Sequence, residues 1–317
     1  MQLLTDSLHP PHERTMIVEL IHNPASGTFN EFRLDVLSRA FQACGAQVRI
    51  GRTEKDGQFE IYPDCDLVCV SGGDGALRLV VTSMTRAGLS RPLCVFPAGT
   101  VNLVAKELGY SDDPEIFARE IMAGFLDKET ARLEAPLLTS DGQPFVACIS
   151  AGPDGQAVAL HSPALKKRIG GAAYAWSLLK LLGDWPALQF SLAVEAPDGT
   201  IVRLTSGAFY VIKVHHYAGN WTLAPAARIG SEIFHVISLT RAQRRDFFRF
   251  MAIIALGRDP GRLDFVRSLS ARALTITAED EMSRQAAFQV DGDMVSAQPR
   301  EIRMTGRTVT YCLPLPD

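Results

Sequence analysis

The chain lacks most of the features that would assign a class at a glance, and each absence removes a possibility. No apolar run reaches the roughly 20 residues of a membrane-spanning helix. The longest candidates are broken by Lys180, Asp184 and Pro186, or are flanked by arginines. A hydrophobic signal core is missing from the N-terminus, so Met1–Arg14 reads as a flexible leader ahead of the first strand. The six cysteines, at 44, 65, 69, 94, 148 and 312, form no CxxC pair and have no matching histidine spacing. That excludes the common zinc modules and leaves buried free thiols in a reducing cytoplasm. Positive charge is not in excess: the net charge is −3 over 317 residues and the sequence pI is about 6.2, which argues against nucleic acid as the main partner. No GxxxxGK[ST] loop occurs, so a P-loop kinase is excluded, and there is no internal repeat or low-complexity tract.

The hydrophobic fraction of 47% and charged fraction of 21% are those of an ordinary globular chain, and the length suits two domains. The most informative stretch is Cys65–Ala76. Leu67–Val70 is an unbroken apolar run, the pattern of a strand buried on both faces of a parallel sheet. It breaks into Ser71-Gly72-Gly73-Asp74-Gly75, and Ala76–Met84 follows as a helix candidate. Glycines between a strand and a helix leave backbone N–H groups uncovered at the helix start, where they cradle phosphate. Asp74 inside that turn would repel phosphate unless it ligates Mg²⁺ or accepts a proton, so a nucleotide with its metal is the first hypothesis.

Ile17–Ile21 is a strand candidate ending at His22-Asn23-Pro24-Ala25-Ser26-Gly27, and apolar residues from Phe32 to Cys44 recur at helical spacing before Gly45. Asn23 and Ser26 sit where they could cap that helix or meet a phosphate. Ala46–Gly51 and Leu93–Phe96 are further strands, the latter closing into Pro97-Ala98-Gly99-Thr100 before a helix near Val101–Leu108. Strands alternating with helices predict a parallel α/β sheet whose three polar turns could face one cleft. Beyond residue 135 the pattern shifts to short strand-like runs: Pro144–Ser150, Leu188–Ala196, Thr200–Thr205, Ala208–Val214, Ile233–Leu239 and Leu274–Thr277. Helical segments near Ala172–Leu182 and Arg241–Leu256 interrupt them. The expected class is therefore α/β: a nucleotide-binding parallel-sheet domain over 16–135, then a β-rich sandwich over 136–317 whose last segment is free to pack back on the first domain.

Four signatures, in order, resemble the diacylglycerol kinase catalytic-domain family of lipid kinases, which includes sphingosine and ceramide kinases. They are Asn23-Pro24-x-Ser26-Gly27, Gly72-Gly73-Asp74-Gly75, Pro97-x-Gly99-Thr100-x-Asn102 and Asp291-Gly292-Asp293. Ala151-Gly152-Pro153-Asp154 is similar to the turn that opens the family's second domain. The resemblance implies ATP in a cleft between the domains, bound as Mg·ATP, with Asn23, Ser26, Gly72, Gly73, Asp74, Gly75, Thr100 and Asn102 around it. It implies phosphoryl transfer to a lipid hydroxyl, with Asp293 standing where the family usually has a glutamate base, Asp291 and Asp74 as further acidic candidates and Asp74 as the Mg²⁺ ligand. Phosphoryl transfer asks a protein chiefly to position groups and neutralise charge, which such turns can do. This chain departs from the family at Ala76, Leu79, Leu103 and Ser231-Glu232, where threonine, glutamate, aspartate and Asp-Gly are usual.

Three functional readings follow. The first is a cytoplasmic kinase, peripheral at the inner membrane surface, acting on diacylglycerol or a sphingoid lipid. The second is a soluble-substrate kinase of the NAD kinase kind, which shares the GGDG turn, and the third a weakly catalytic lipid-binding protein of the same fold. Asp291-Gly292-Asp293 also reads as an ordinary hairpin turn. His215 and His216 have no partner spacing and read as structural or surface residues. Arg241, Arg244, Arg245 and Arg249, interleaved with Phe247, Phe248, Phe250 and Met251, suit either a solvated helix face or a membrane-surface helix, to which Lys166, Lys167 and Arg168 could add. Trp176, Leu178, Leu179 and Leu182 suit a core or a lipid pocket.

Overall fold

The computed structural model describes residues 15–54, 59–127, 129–153, 155–156, 185, 187–295 and 297–315. The leader, Asp154, the Lys166–Arg168 cluster and the expected helix at Ala172–Leu182 with its apolar residues lie outside the described residues.

The first half is built on β1 (Ile17–His22), β2 (Gln47–Arg52), β3 (Leu67–Gly72) and β4 (Leu93–Pro97), parallel and ordered β2-β1-β3-β4. All six residues of β3 are buried, as its continuous apolar run requires of a strand with both faces covered. Between the strands run α1 (Glu31–Ala43), capped by the Asn30 side chain on the amide of Phe32, and α2 (Asp74–Ala87), closed by Gly88 in the left-handed conformation. Two helices follow β4: α3 (Leu103–Glu107) and α4 (Pro114–Leu126), the latter opened by Asp113 and Pro114. Five cysteines are buried, Cys44 is exposed, and all six are free.

The second half contributes β5 (Arg132–Ser140), β6 (Gln143–Phe145), β7 (Cys148–Ala151), β8 (Phe190–Glu195), β9 (Ile201–Ser206), β10 (Ala208–Ile212) and β11 (Phe234–Leu239). After these come α5 (Arg244–Ala255), β12 (Val266–Ala271), β13 (Ala273–Ala278), α6 (Glu281–Arg284), β14 (Phe288–Val290), β15 (Asp293–Val295) and the long β16 (Glu301–Cys312). One antiparallel sheet is ordered β12-β11-β10-β7-β14-β15. Its faces alternate residue by residue, as period two demands. Phe209, Val211 and Val236 meet Phe190, Leu192 and Leu274, whereas Tyr210, Ile212 and Ile237 join the apolar cluster that continues into the α/β core.

The other sheet is shared between the halves. β16 pairs parallel with β4 at Tyr311–Leu93 and antiparallel with β13 and β5, giving the order β2-β1-β3-β4-β16-β13-β8-β9. The run expected as one strand, Pro144–Ser150, is two, with Val146 and Ala147 between them. Those two amides leave the ladder to meet a carboxylate described below.

Candidate active site

The turns after β1, β3 and β4 converge through their own backbones. Asn23 N–H donates to Ser71 O at 3.1 Å, Ala98 N–H to Gly72 O at 3.1 Å and Thr28 N–H to Ala98 O at 3.2 Å. The packing leaves no room for side chains. A methyl group on Gly73 would lie 3.2 Å from Gly99 Cα, and one on Gly72 would press on Ala76 and stand 3.4 Å from Ser26 Oγ. A methyl on Gly27 would overlap the Thr100 hydroxyl. Glycine is required here by close approach of one turn to another. Asn102 holds the third turn with φ +55°: its Oδ1 accepts from Gly99 N at 2.8 Å and its Nδ2 donates to Gly99 O at 2.9 Å. Asn23 Oδ1 likewise accepts from Ala25 N. Both asparagines therefore shape the turns.

The start of α2 faces this junction with no side-chain cap, since its N-cap is Gly73. The first N–H groups of a 14-residue helix, with the positive end of its dipole, are left to an anion.

Asp74, the first residue of α2, points away from that opening. Its Oδ2 accepts from Leu103 N at 2.9 Å and its Oδ1 from Val104 N at 3.0 Å, and the residue is only 8% exposed. Burial raises its pKa against the pull of those amides. At the far end of α3, Glu107 accepts from His215 N and Ile229 N, both at 2.6 Å, so carboxylates fasten this short helix at each end. Lys213, 2% exposed, donates to Ser231 O, and burial lowers its pKa to about 8. The backbone N–H of His215 serves Glu107, and its ring meets Arg228 and Thr222. No group of three His, Cys, Asp or Glu suited to a metal occurs among the described residues. At Asp74, the expected Mg²⁺ ligand, each carboxylate oxygen accepts one amide of α3, so an ion held there would share oxygens that already fasten that helix.

The late acidic motif is a two-residue hairpin turn and an acid cluster at once. Asp291 (φ +51°) and Gly292 (φ +84°) join β14 to β15 with Val290 opposite Asp293, the geometry Asp-Gly favours. The buried Asp291 carboxylate accepts from Val146 N at 3.0 Å, Ala147 N at 2.8 Å and Cys148 N at 3.1 Å. Burial pushes its pKa up to about 7, outweighing Arg78 and the three amides. Asp293 is different: its side chain is 57% exposed, and its carboxylate lies so close to Gly75 that a methyl group there would overlap it.

Arg78, on the second turn of α2, ties the two motifs together. Its Nη2 is 2.8 Å from Asp293 Oδ2 and its Nε 3.8 Å from Asp291 Oδ2. The sequence reading passed over it. The available signal is that Arg78 is the one charged residue between Asp74 and Arg86. Asn23, Ser26, Gly72–Gly75, Thr100, Asn102 and Asp293 thus share one junction. Asp74 and Asp291 flank it from beneath, their carboxylates turned into the protein.

The description "Diacylglycerol kinase catalytic domain" matches residues 18–130, and "YegS C-terminal NAD kinase beta sandwich-like domain" matches residues 147–312. A diacylglycerol kinase of Staphylococcus haemolyticus is 23% identical over 93% of this chain and 87% of its own. The diacylglycerol kinase of Bacillus subtilis is 23% identical over 93% and 95%. Among solved structures, a diacylglycerol kinase from Bacillus anthracis superposes with a TM-score of 0.70 at 18% identity, covering 95% of this chain and 98% of that one.

Proposed function

Because this chain belongs to the diacylglycerol kinase and YegS family of lipid kinases, we propose that it transfers the γ-phosphoryl group of ATP to a hydroxyl of a diacylglycerol-like or sphingoid lipid, with Asp293 as the general base. One observation carries this reading: an exposed carboxylate touches the uncapped start of α2 across the junction of the two halves. The nucleotide is assigned to residues 16–135 and the lipid to 136–317.

The N–H groups of Asp74, Gly75 and Ala76 take phosphate oxygens, flanked by the Ser26 and Thr100 hydroxyls. Asp293 accepts the hydroxyl proton as the alcohol oxygen bonds to the γ-phosphorus and the bond to the bridging oxygen breaks, releasing ADP. Arg78 fixes the carboxylate and places positive charge beside the transferred group. Mg²⁺ is taken as arriving with ATP as part of the substrate, the usual habit of an ion that keeps few protein ligands. Asp74 and Asp291 act as positioning residues: the first seats α3 against the glycine corner, and the second holds the hairpin that presents Asp293.

The test is purified protein with labelled ATP, Mg²⁺ and, separately, diacylglycerol, sphingosine, ceramide and NAD. A labelled lipid phosphate is expected. Labelled NADP without a lipid product would move the assignment to the soluble-substrate kinases, whose sandwich this half resembles. No product from any acceptor, with retained lipid binding, would make it a binding protein.

A further inference from the structure

Helix α5 is divided cleanly by burial. Asp246, Phe247, Phe250 and Ile254 are buried, and Phe250 stacks on Tyr210 of β10 at 5.5 Å. At 100° per residue, the exposed residues Arg244, Arg245, Phe248, Arg249 and Ala252 fall within an arc of about 140°, and Leu256 just past the helix end continues it. That arc carries no acid. A merely solvated helix face mixes charges of both signs; this one holds arginines around Phe248, 40% exposed, and Leu256, 67% exposed. The single aspartate of the helix is beneath it, 1% exposed, with Arg241 Nε 3.4 Å, Arg245 Nε 3.9 Å and Arg249 Nη1 4.0 Å away. Arg241 also pairs with the exposed Asp264 at 2.7 Å, so four arginines, Arg241, Arg244, Arg245 and Arg249, stand against two carboxylates here and positive charge remains in excess.

The surroundings extend the pattern. From Arg241 to Arg267 the chain has seven arginines against three aspartates, in a protein whose net charge is −3. Arg241 and Arg249 each lie 5.4 Å from the Phe265 ring, which stiffens them further. Trp185 packs on Phe247 and Phe248 at 5.5 and 6.2 Å and donates to Ala242 O.

We infer that the exposed face of α5 docks the protein on a bilayer bearing anionic headgroups, the arginines meeting phosphates and Phe248 and Leu256 entering the interface. For its purpose, though not for its test, this rests on the lipid-kinase reading. Exposed apolar side chains among the arginines favour a bilayer over nucleic acid, which would leave them in water.

The experiment is co-sedimentation of the full chain with vesicles of phosphatidylcholine, alone or with roughly a third phosphatidylglycerol, in low and high salt. Wild type is expected on the anionic vesicles only. R244A/R245A should weaken binding roughly twenty-fivefold, the product of about fivefold for each arginine near an anionic surface. L256S, at an exposed position and so safe for folding, should weaken what binding survives high salt. Both variants should keep wild-type activity on a water-soluble short-chain acceptor. Arginine-dependent binding without any lipid product would sustain the docking face and sink only the kinase reading. Equal binding of R244A/R245A and wild type, equal binding to neutral vesicles, or preference for single-stranded RNA over vesicles would each overturn the inference.

Discussion

Two turns, Gly72–Gly75 in the α/β half and Asp291–Asp293 in the sandwich, carry three aspartates between them, and the three differ in what they face. Asp74 and Asp291 do the same thing in unrelated folds. Each sits in a tight turn, is buried, and reaches across to collect the backbone amides of another segment, Leu103 and Val104 in one case and Val146, Ala147 and Cys148 in the other. Among the described residues Asp293 collects no backbone amide and is held by Arg78, at the mouth of the junction. Motif membership therefore does not assign chemistry. A carboxylate whose oxygens are filled by amides holds architecture, and one left half in solvent beside an open helix start is the group available to a substrate.

That contrast can be broken by mutation. Asp293→Asn should lower turnover about 10²–10⁴-fold, the usual worth of a general base, with unchanged thermal unfolding. Unaltered turnover would return the base to Asp291 or Asp74. Asp291→Asn should instead alter how stability depends on pH. In wild type the folded state keeps the Asp291 proton up to about pH 7, whereas the unfolded chain releases it near its ordinary value of 3.8. Between those values the native state binds more protons, so wild-type stability falls as pH rises, by up to about 4 kcal/mol at 1.36 kcal/mol per pH unit. Denaturant unfolding across pH 4–7 should show that slope flattened in the variant, and an identical slope would remove Asp291 as its source. Gly75→Ala, which drives a methyl group into the Asp293 carboxylate, should cost about 10²-fold in turnover by displacing it. Asp74→Asn replaces one amide-accepting oxygen with a donor and should destabilise by about 1–3 kcal/mol in denaturant. A drop in turnover as deep as that of Asp293→Asn, with no loss of stability, would instead mark Asp74 as chemical.

What was legible in the sequence was whatever is local or fully buried. β3 announces itself because both its faces are covered and nothing polar interrupts it; α1 announces itself through its spacing and Gly45. The convergence of three turns is readable from βα alternation, because parallel strands put their carboxyl ends on one edge. Illegible were features fixed by distant partners. β16 mixes Arg303, Gly306, Arg307 and Thr308 with few apolar residues, and its strand character comes from pairing with β5, β13 and β4. The break between β6 and β7 is caused by an acid more than 140 positions away. α4 had an Asp-Pro start signal at Asp113 and Pro114 that no strand pattern pointed to. The opposite orientations of Asp74 and Asp293 could not be read either, since burial of a turn side chain depends on what the remaining chain brings against it. Departures from the family pattern at Ala76 and Leu103 are apolar side chains packed in the core.

The strand Glu301–Cys312 has a consequence for how the protein is made. β4 is complete some 200 residues earlier in synthesis, yet the strand that meets its free edge, with Tyr311 opposite Leu93, is β16. Until that strand is translated, the parallel sheet carries a bare flank of unpaired N–H and C=O groups, the kind of edge that invites wrong partners. The nascent chain carries that flank until its own last strand emerges to meet it at Leu93.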